Sequence, residues 1–301
     1  MIEDFIKNYE YYRNVSLRKY NTYKINSGCG YLIYPKNENE LLVLLKFMKE
    51  NNIQYLFLGN GSNVILSRPY YEVIIKLDKM NKIVINNNIV VADAGVSLIN
   101  LANTCMRMGL SGLAFAGGIP GLVGASTAMN AGAYKEDMSG VIKEVKVITP
   151  ELDIAVLTKD ELNYGYRSSF LKDNKDYICI QTVFELSYDD CDNIKEIMDN
   201  RRLRRVDTQP LDMPSAGSVF RNPEGFSAGK LIEDIGLKGY RIGDAQVSTK
   251  HANFIVNIGN ASADDIIELI EFIKKKVKEA YNIDLLLEQE IIGWYNVQKE
   301  N

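Results

Sequence analysis

The spacing of apolar positions changes several times along the chain, and each change predicts an element. Leu41, Leu44, Leu45 and Met48 recur at helical intervals and predict a helix over Glu38–Glu50. Short apolar runs at Tyr31–Tyr34, Gln54–Leu58 and Val73–Leu77 predict strands around it. Lys82–Ile85 and Ile89–Ala92 flank Asn86-Asn87-Asn88, a triplet suited to positive φ, and predict a hairpin. Ser97 is placed to cap a helix reaching about Met108, and Val141–Thr149, Asp153–Leu157 and Tyr177–Leu186 predict further strands. A helix follows from Asp189 to about Arg205.

Beyond Thr208-Gln209-Pro210, strands are expected at Ser218–Phe220, Asn253–Asn257 and Asp284–Ile292, and helices at Ser227–Ile235 and Ser262–Tyr281. The last opens on a capping-box pattern, Ser262 with Asp265, and carries the stripe Ile266, Leu269, Ile270, Ile273 and Val277. Residues 1–22 are polar and tyrosine-rich and read as an amphipathic lead-in, helical over Ile2–Tyr12. The whole reads as α+β: two lobes, about 23–78 and 79–190, then a smaller α+β domain over 206–301.

Composition narrows the chemistry. With 301 residues the chain can bury a sizeable core, and a net charge of -4 argues against nucleic acid as a partner. Arg201, Arg202, Arg204 and Arg205 form one basic run, either a solvated helix end or a phosphate-steering patch. Cys29, Cys105, Cys179 and Cys191 show no paired spacing, and His251 is the only histidine, so neither a disulfide framework nor a metal centre is expected. No signal peptide and no apolar run of membrane-spanning length is evident, which predicts a cytoplasmic protein without membrane partners. No exposed apolar stripe is obvious, so a monomer is expected.

Two glycine-rich elements stand out. Gly59-Asn60-Gly61-Ser62-Asn63 follows a short strand, and by itself reads equally as a hairpin turn or an anion cradle. The second runs from Ala116 through Gly117, Gly118, Ile119, Pro120, Gly121, Gly124 and Ala125 to Asn130-Ala131-Gly132. Its small side chains would let an extended ligand lie close, with amides for a pyrophosphate and small residues for a flat ring; close internal packing is the alternative. It is not the Rossmann fingerprint, because no Gly-x-Gly-x-x-Gly stands between a strand and a helix with an acidic residue about twenty positions on.

These two elements resemble the FAD-binding domain of the UDP-N-acetylenolpyruvoylglucosamine reductase (MurB) family. The resemblance continues in order through Tyr166-Arg167-Ser168-Ser169-Phe170, Ala216-Gly217-Ser218-Val219-Phe220-Arg221-Asn222-Pro223, Ala228–Glu233, Gly239–Ser248 and His251–Asn257. It departs at Asn60, where the family often has glycine, and at Ala125-Ser126-Thr127, where the family is richer in glycine. The short path from Gly225 to Gly239 is similar to the type II branch, which lacks a tyrosine-bearing lid. The resemblance implies a two-lobed PCMH-type FAD-binding domain over 23–190, followed by a substrate-binding domain. It also implies non-covalent FAD, NADPH as reductant, and a UDP-sugar enolpyruvyl ether as substrate.

The chemistry implied is hydride addition at C3 and protonation at C2, which needs a proton donor and groups that stabilise a developing enolate. Ser218 matches the donor, Arg167 the carboxylate-binding arginine, and Glu290 the catalytic glutamate. Glu288 and Glu290 at period two would share a strand face, where like charges favour one protonated carboxyl. Arg221, Asn222 and Lys230 are candidate contacts for substrate phosphate or carboxylate, with Gln246 and Asn253 beside them. His251 is given no acid–base role. A different FAD oxidoreductase, such as a sugar oxidase, and a non-catalytic nucleotide-binding protein are the rival readings.

Overall fold

Where the apolar spacing is helical the chain forms helices, and two of them show how local sequence sets their ends. In the computed structural model, which describes residues 2–293, the helix Glu38–Glu50 starts at Asn37, whose side chain accepts from the Glu40 amide. It buries Leu41, Leu44, Leu45 and Met48. The helix Ala263–Tyr281 starts on a complete capping box between Ser262 and Asp265 and ends at Asn282 in the left-handed region. Its stripe Ile266, Leu269, Ile270, Ile273 and Val277 is buried, each such side chain contributing about 1.5–3 kcal/mol relative to exposure.

Over the described residues the chain packs into two compact units. The first comprises Met1–Arg13, Tyr31–Gly59 and Glu72–Arg204; the second comprises Asn14–Gly30, Asn60–Tyr71 and Arg205–Asn301. The chain thus interleaves the units, leaving the first twice before residue 72. The contiguous spans 23–190 and 206–301 expected from sequence describe the order of motifs, and residues 294–301 of the latter lie outside the described residues.

In the first unit an antiparallel five-stranded sheet has the spatial order Ile154–Thr158, Ile142–Ile148, Ile178–Glu185, Ile89–Asp93, Ile83–Asn86. The helix Leu98–Arg107 shares its core, which includes Leu98, Leu101, Cys105, Phe115, Val145 and Phe184. The hairpin forms as expected, with Asn87 at φ 54°. A mixed sheet orders Glu10–Ser16, Gly28–Tyr34, Tyr70–Ile75 and Tyr55–Phe57, the last two parallel; residues 14–16, 28–30 and 70–71 of its strands are assigned to the second unit. The helix Glu38–Glu50 buries its apolar face in the neighbouring core with Ile33, Val73 and Ile75.

In the second unit a three-stranded antiparallel sheet (Arg241–Ile242, Ala245–Val247, Ile255–Asn257) shares one core with Ala263–Tyr281 and the helix Ala228–Asp234. Val64–Leu66 pairs in parallel with Glu290–Ile292.

Three expectations need correction. The helix over Ile2–Tyr12 is only Ile2–Ile6; the chain then turns into the strand Glu10–Ser16. Ser218–Phe220 is not a strand but a turn, with one bridge between Phe220 and Leu287. The strand Asp284–Ile292 is reduced to Glu290–Ile292.

Candidate active site

Lys76 anchors the entry to the first glycine loop. It is a lysine in a buried strand end, its side chain only 5% exposed. Its ammonium donates to the carbonyls of Leu58 at 3.2 Å and Gly59 at 2.6 Å, and pairs with Asp78 at 3.2 Å. The unit boundary falls directly after Gly59. Beyond it, Gly61 adopts φ +62°, and a Cβ there would lie 2.2 Å from the Tyr20 carbonyl oxygen, so only glycine fits. Gly61 O accepts from the amide and hydroxyl of Thr22, and Asn63 O accepts from the Glu290 amide. The loop's carbonyls are therefore held by protein, and its left-handed turn is of the kind that lines amides along an anion.

The second glycine element owes much of its composition to internal packing. A Cβ on Gly124 would lie 2.7 Å from the Ala94 Cβ, one on Gly121 2.6 Å from the Ser126 hydroxyl, and one on Gly117 2.6 Å from the Met198 methyl. The amides of Ile119, Gly121 and Gly124 bond to Ala116, Ile119 and Ala94. Asn130 ends the helix Val123–Met129 at φ 47°; its side chain donates to Gly165 O at 2.9 Å and accepts from the Ser139 amide at 3.0 Å. Gly59 faces the second element: a Cβ there would lie 3.8 Å from that of Ala125 and 3.9 Å from Leu122. Around this meeting Gly59, Gly117, Gly118 and Gly121 stay partly accessible and Ala125 is exposed. A flat ring fits such a side-chain-poor strip, which suits FAD; Asn60, Ser62 and Asn63 of the second unit, taken by themselves, are polar residues of the kind that meet a phosphate.

Arg167 also belongs to the first unit. It sits in a tight turn closed by reciprocal bonds between Gly165 and Ser168, at φ 54°, a region that arginine rarely adopts. Its guanidinium donates to the carbonyls of Gly132 at 2.6 Å and Asn130 at 3.4 Å and stacks on Tyr166 at 5.2 Å. The turn thereby fixes the arginine against the end of the second glycine element.

The second unit carries Ser218 and Glu290. Ser218 follows Gly217, which is at φ +77°, and is clamped on both sides. Downstream, the Asn253 side chain accepts from the Phe220 amide at 3.0 Å and donates to its carbonyl at 2.8 Å, while Asn253 O takes the Val219 amide at 2.9 Å. Upstream, Gln289 Nε2 donates to Ala216 O at 3.1 Å and Gly217 O at 3.2 Å. Gln289 Oε1 in turn accepts from Tyr23 at 3.0 Å; burial pushes that phenol's pKa up and keeps it a donor. Among the described residues the Ser218 hydroxyl bonds to no protein group.

Glu288 and Glu290 do not share a strand face. Glu290 starts its strand with its amide on Asn63 O at 2.9 Å, whereas Glu288 precedes it, its amide on Val219 O at 2.9 Å. Asn63 Nδ2 returns a bond to Glu288 O at 3.1 Å. One tripeptide thus joins the Asn60–Asn63 loop to the Ser218 turn.

The remaining candidates divide. Arg221 has a buried Nε with no partner among the described residues, as a side chain awaiting an anion would. Asn222 accepts from the Ala228 amide at 3.0 Å and orients the helix behind it. Lys230 is exposed and pairs with Asp234 on its own helix. Gln246 donates to Gly239 O at 3.0 Å, and Asn253 uses its side chain on Phe220. His251 Nδ1 accepts from the Asn253 amide at 3.2 Å, and burial holds its pKa below the usual histidine value.

Sequence reading missed Lys76 and Gln289. Each had a signal: a polar residue at an inward position of an apolar run, Ile74-Ile75-Lys76-Leu77 and Leu285-Leu286-Leu287-Glu288-Gln289-Glu290-Ile291.

The small-residue strip of the first unit and the held serine turn of the second, each taken by itself, are parts expected of an FAD-binding oxidoreductase. Residues 30–155 match the family described as FAD binding domain, and residues 209–292 match UDP-N-acetylenolpyruvoylglucosamine reductase, C-terminal domain. A reductase of that name from Clostridium novyi is 42% identical over 293 residues, covering 97% of this chain and 95% of the relative. One from Caldanaerobacter subterraneus is 38% identical and covers 97% of each. The crystal structure of the Thermus caldophilus enzyme has a TM-score of 0.78 at 33% identity, covering 94% of this chain and 98% of that one. The chain belongs to the UDP-N-acetylenolpyruvoylglucosamine reductase family, enzymes of peptidoglycan synthesis. No described helix is long and apolar enough to cross a membrane.

Proposed function

We propose that this chain reduces UDP-N-acetylglucosamine enolpyruvate to UDP-N-acetylmuramate in the cytoplasm, as a monomer, with NADPH as the source of electrons. The observation that carries the reading is the Ser218 turn, clamped upstream by Gln289 and downstream by Asn253 while its hydroxyl is left to a ligand. FAD, for which Gly59–Asn63 and, separately, the small-residue strip from Gly117 to Gly132 are the candidate contacts, would take hydride from NADPH and supply it to the substrate.

Hydride addition at C3 drives the C2–C3 π pair onto C2 and the adjacent carboxylate. Arg167 of the first unit would offer a planar, permanently charged fork for that carboxylate, and Glu290 of the second is the carboxyl that the family resemblance assigns to the same step. Ser218 gives its hydroxyl proton to C2, and the alkoxide regains a proton from solvent, which completes the saturated ether. Arg221 is the first candidate for a substrate anion because its buried Nε lacks a partner among the described residues. Asn222, Gln246 and Asn253 then support binding by shaping backbone, and Lys230 supplies surface charge.

An anaerobic titration followed by flavin absorbance tests this reading. NADPH should bleach the flavin, and the enolpyruvyl substrate should restore it. Restoration by oxygen alone, with no effect of substrate, would reject it in favour of an oxidase.

A further inference from the structure

Gln289 lies between the two glutamates that the chemistry draws attention to, yet its side chain points the other way, into the core. It is 3% exposed, and its partner Tyr23 is fully buried. The surroundings are apolar: Ala216, Val219 and Phe220 are each buried. A polar side chain in such a place is tolerated only when each of its groups is matched, and here all are. The two protons of Nε2 reach the carbonyls of Ala216 and Gly217, and Oε1 receives the Tyr23 hydroxyl.

Those two carbonyls belong to the peptides immediately before Ser218. Gly217 at φ +77° lets the chain reverse there, so the direction of the Ser218 side chain depends on how the two peptides are held. A carboxamide suits the task, since one nitrogen carries two protons while the oxygen remains an acceptor. Asn253 already fixes the downstream side through Phe220. Gln289 supplies the matching constraint upstream.

We propose that Gln289, braced by Tyr23, is a positioning residue that aims the Ser218 hydroxyl for proton delivery to the substrate. This rests on the reading of Ser218 as proton donor. The Gln289 side chain is buried, and its bonds go to the serine turn and Tyr23. Its loss therefore acts on the half-reaction that consumes a proton and spares the flavin.

The test uses FAD-loaded Gln289→Met, Tyr23→Phe and Ser218→Ala, each reduced with dithionite and mixed anaerobically with enolpyruvyl substrate in H2O and D2O. Gln289→Met should slow reoxidation roughly ten- to a hundredfold, the scale on which misplacement of a reacting group is felt. Its solvent isotope effect should rise, while the rate of flavin reduction by NADPH and the flavin spectrum stay at wild-type values. Tyr23→Phe should move the same quantities in the same direction by roughly two- to fivefold, since one of three bonds is lost. It carries the test alone if Gln289→Met does not fold. Wild-type reoxidation in the Gln289 and Tyr23 variants, with Ser218→Ala slow, would overturn the positioning role and leave the Ser218 reading intact. Equal slowing of both half-reactions would overturn it too, as a general structural defect. Wild-type reoxidation in Ser218→Ala would remove the reading on which the proposal rests.

Discussion

Replacing Lys76 with methionine tests whether a buried cation sets the entry to the flavin loop. Methionine keeps most of the length and the apolar stem, and deletes the ammonium. The loss includes bonds of 3.2 and 2.6 Å to the carbonyls of Leu58 and Gly59 and an ion pair of 3.2 Å to Asp78. Charge-assisted bonds contribute about 1.5–3 kcal/mol each, and removing one member of a buried charge network costs about 3–5 kcal/mol. Asp78 is 35% exposed as a side chain, but its paired Oδ2 is buried, so the expected cost stays at about 3–5 kcal/mol. Part of that cost should appear as FAD affinity, because the freed carbonyls sit where the loop begins. Urea unfolding of the apoprotein gives the stability change, and fluorescence titration with FAD gives the affinity. A Lys76→Met variant with wild-type FAD affinity and an unfolding free energy within about 0.5 kcal/mol of wild type would refute the reasoning.

Two other predictions follow from packing and protonation. Gly124→Ala places a methyl 2.7 Å from the Ala94 Cβ, a neighbour with no flexible end to move aside. Overpacking should cost about 1–3 kcal/mol, against about 1 kcal/mol of gained helix propensity, so melting temperature and bound flavin per chain should both fall. Burial holds the His251 pKa below its unfolded value of 6.5, and Nδ1 accepts from the Asn253 amide. The unfolded chain then binds more protons on acidification, so this contribution is fully present above about pH 6.5 and is lost as pH falls through the folded pKa. The urea midpoint of wild type should drop between pH 7.5 and 5.5, and that of His251→Gln should drop less; equal drops would exclude the histidine as the cause.

Elements governed by local rules were legible in the sequence. Ser262 with Asp265, the Asn86–Asn88 turn and the stripe of Glu38–Glu50 each carry their own instructions within a few residues. What was lost depends on pairing between distant segments. Val64–Leu66 is too short to announce itself, and is a strand because Glu290–Ile292 lies beside it. The tyrosine-rich start reads as helix over Ile2–Tyr12, but the helix ends at Ile6 and the chain joins, from Glu10, a sheet whose other members follow later in the chain. Residues 14–30 and 60–71 belong with the C-terminal stretch, which no composition shift reveals.

The site divides in the same way. Ser218, Arg167 and Glu290 stand in motifs that resemblance exposes, whereas Gln289, Tyr23 and Lys76 act through carbonyls that no motif displays. The glycines carried a double message: those at 117, 121 and 124 are needed for close packing, and that same packing leaves a strip bare of side chains.

The central claim is that Ser218 protonates an enolpyruvyl ether after hydride transfer. The most direct measurement compares wild type and Ser218→Ala, each reduced anaerobically with NADPH and then mixed with substrate while flavin absorbance is followed. The account predicts equal bleaching by NADPH in both proteins, rapid recovery in wild type, and recovery slowed by orders of magnitude in the variant. Recovery in Ser218→Ala at close to the wild-type rate would contradict it.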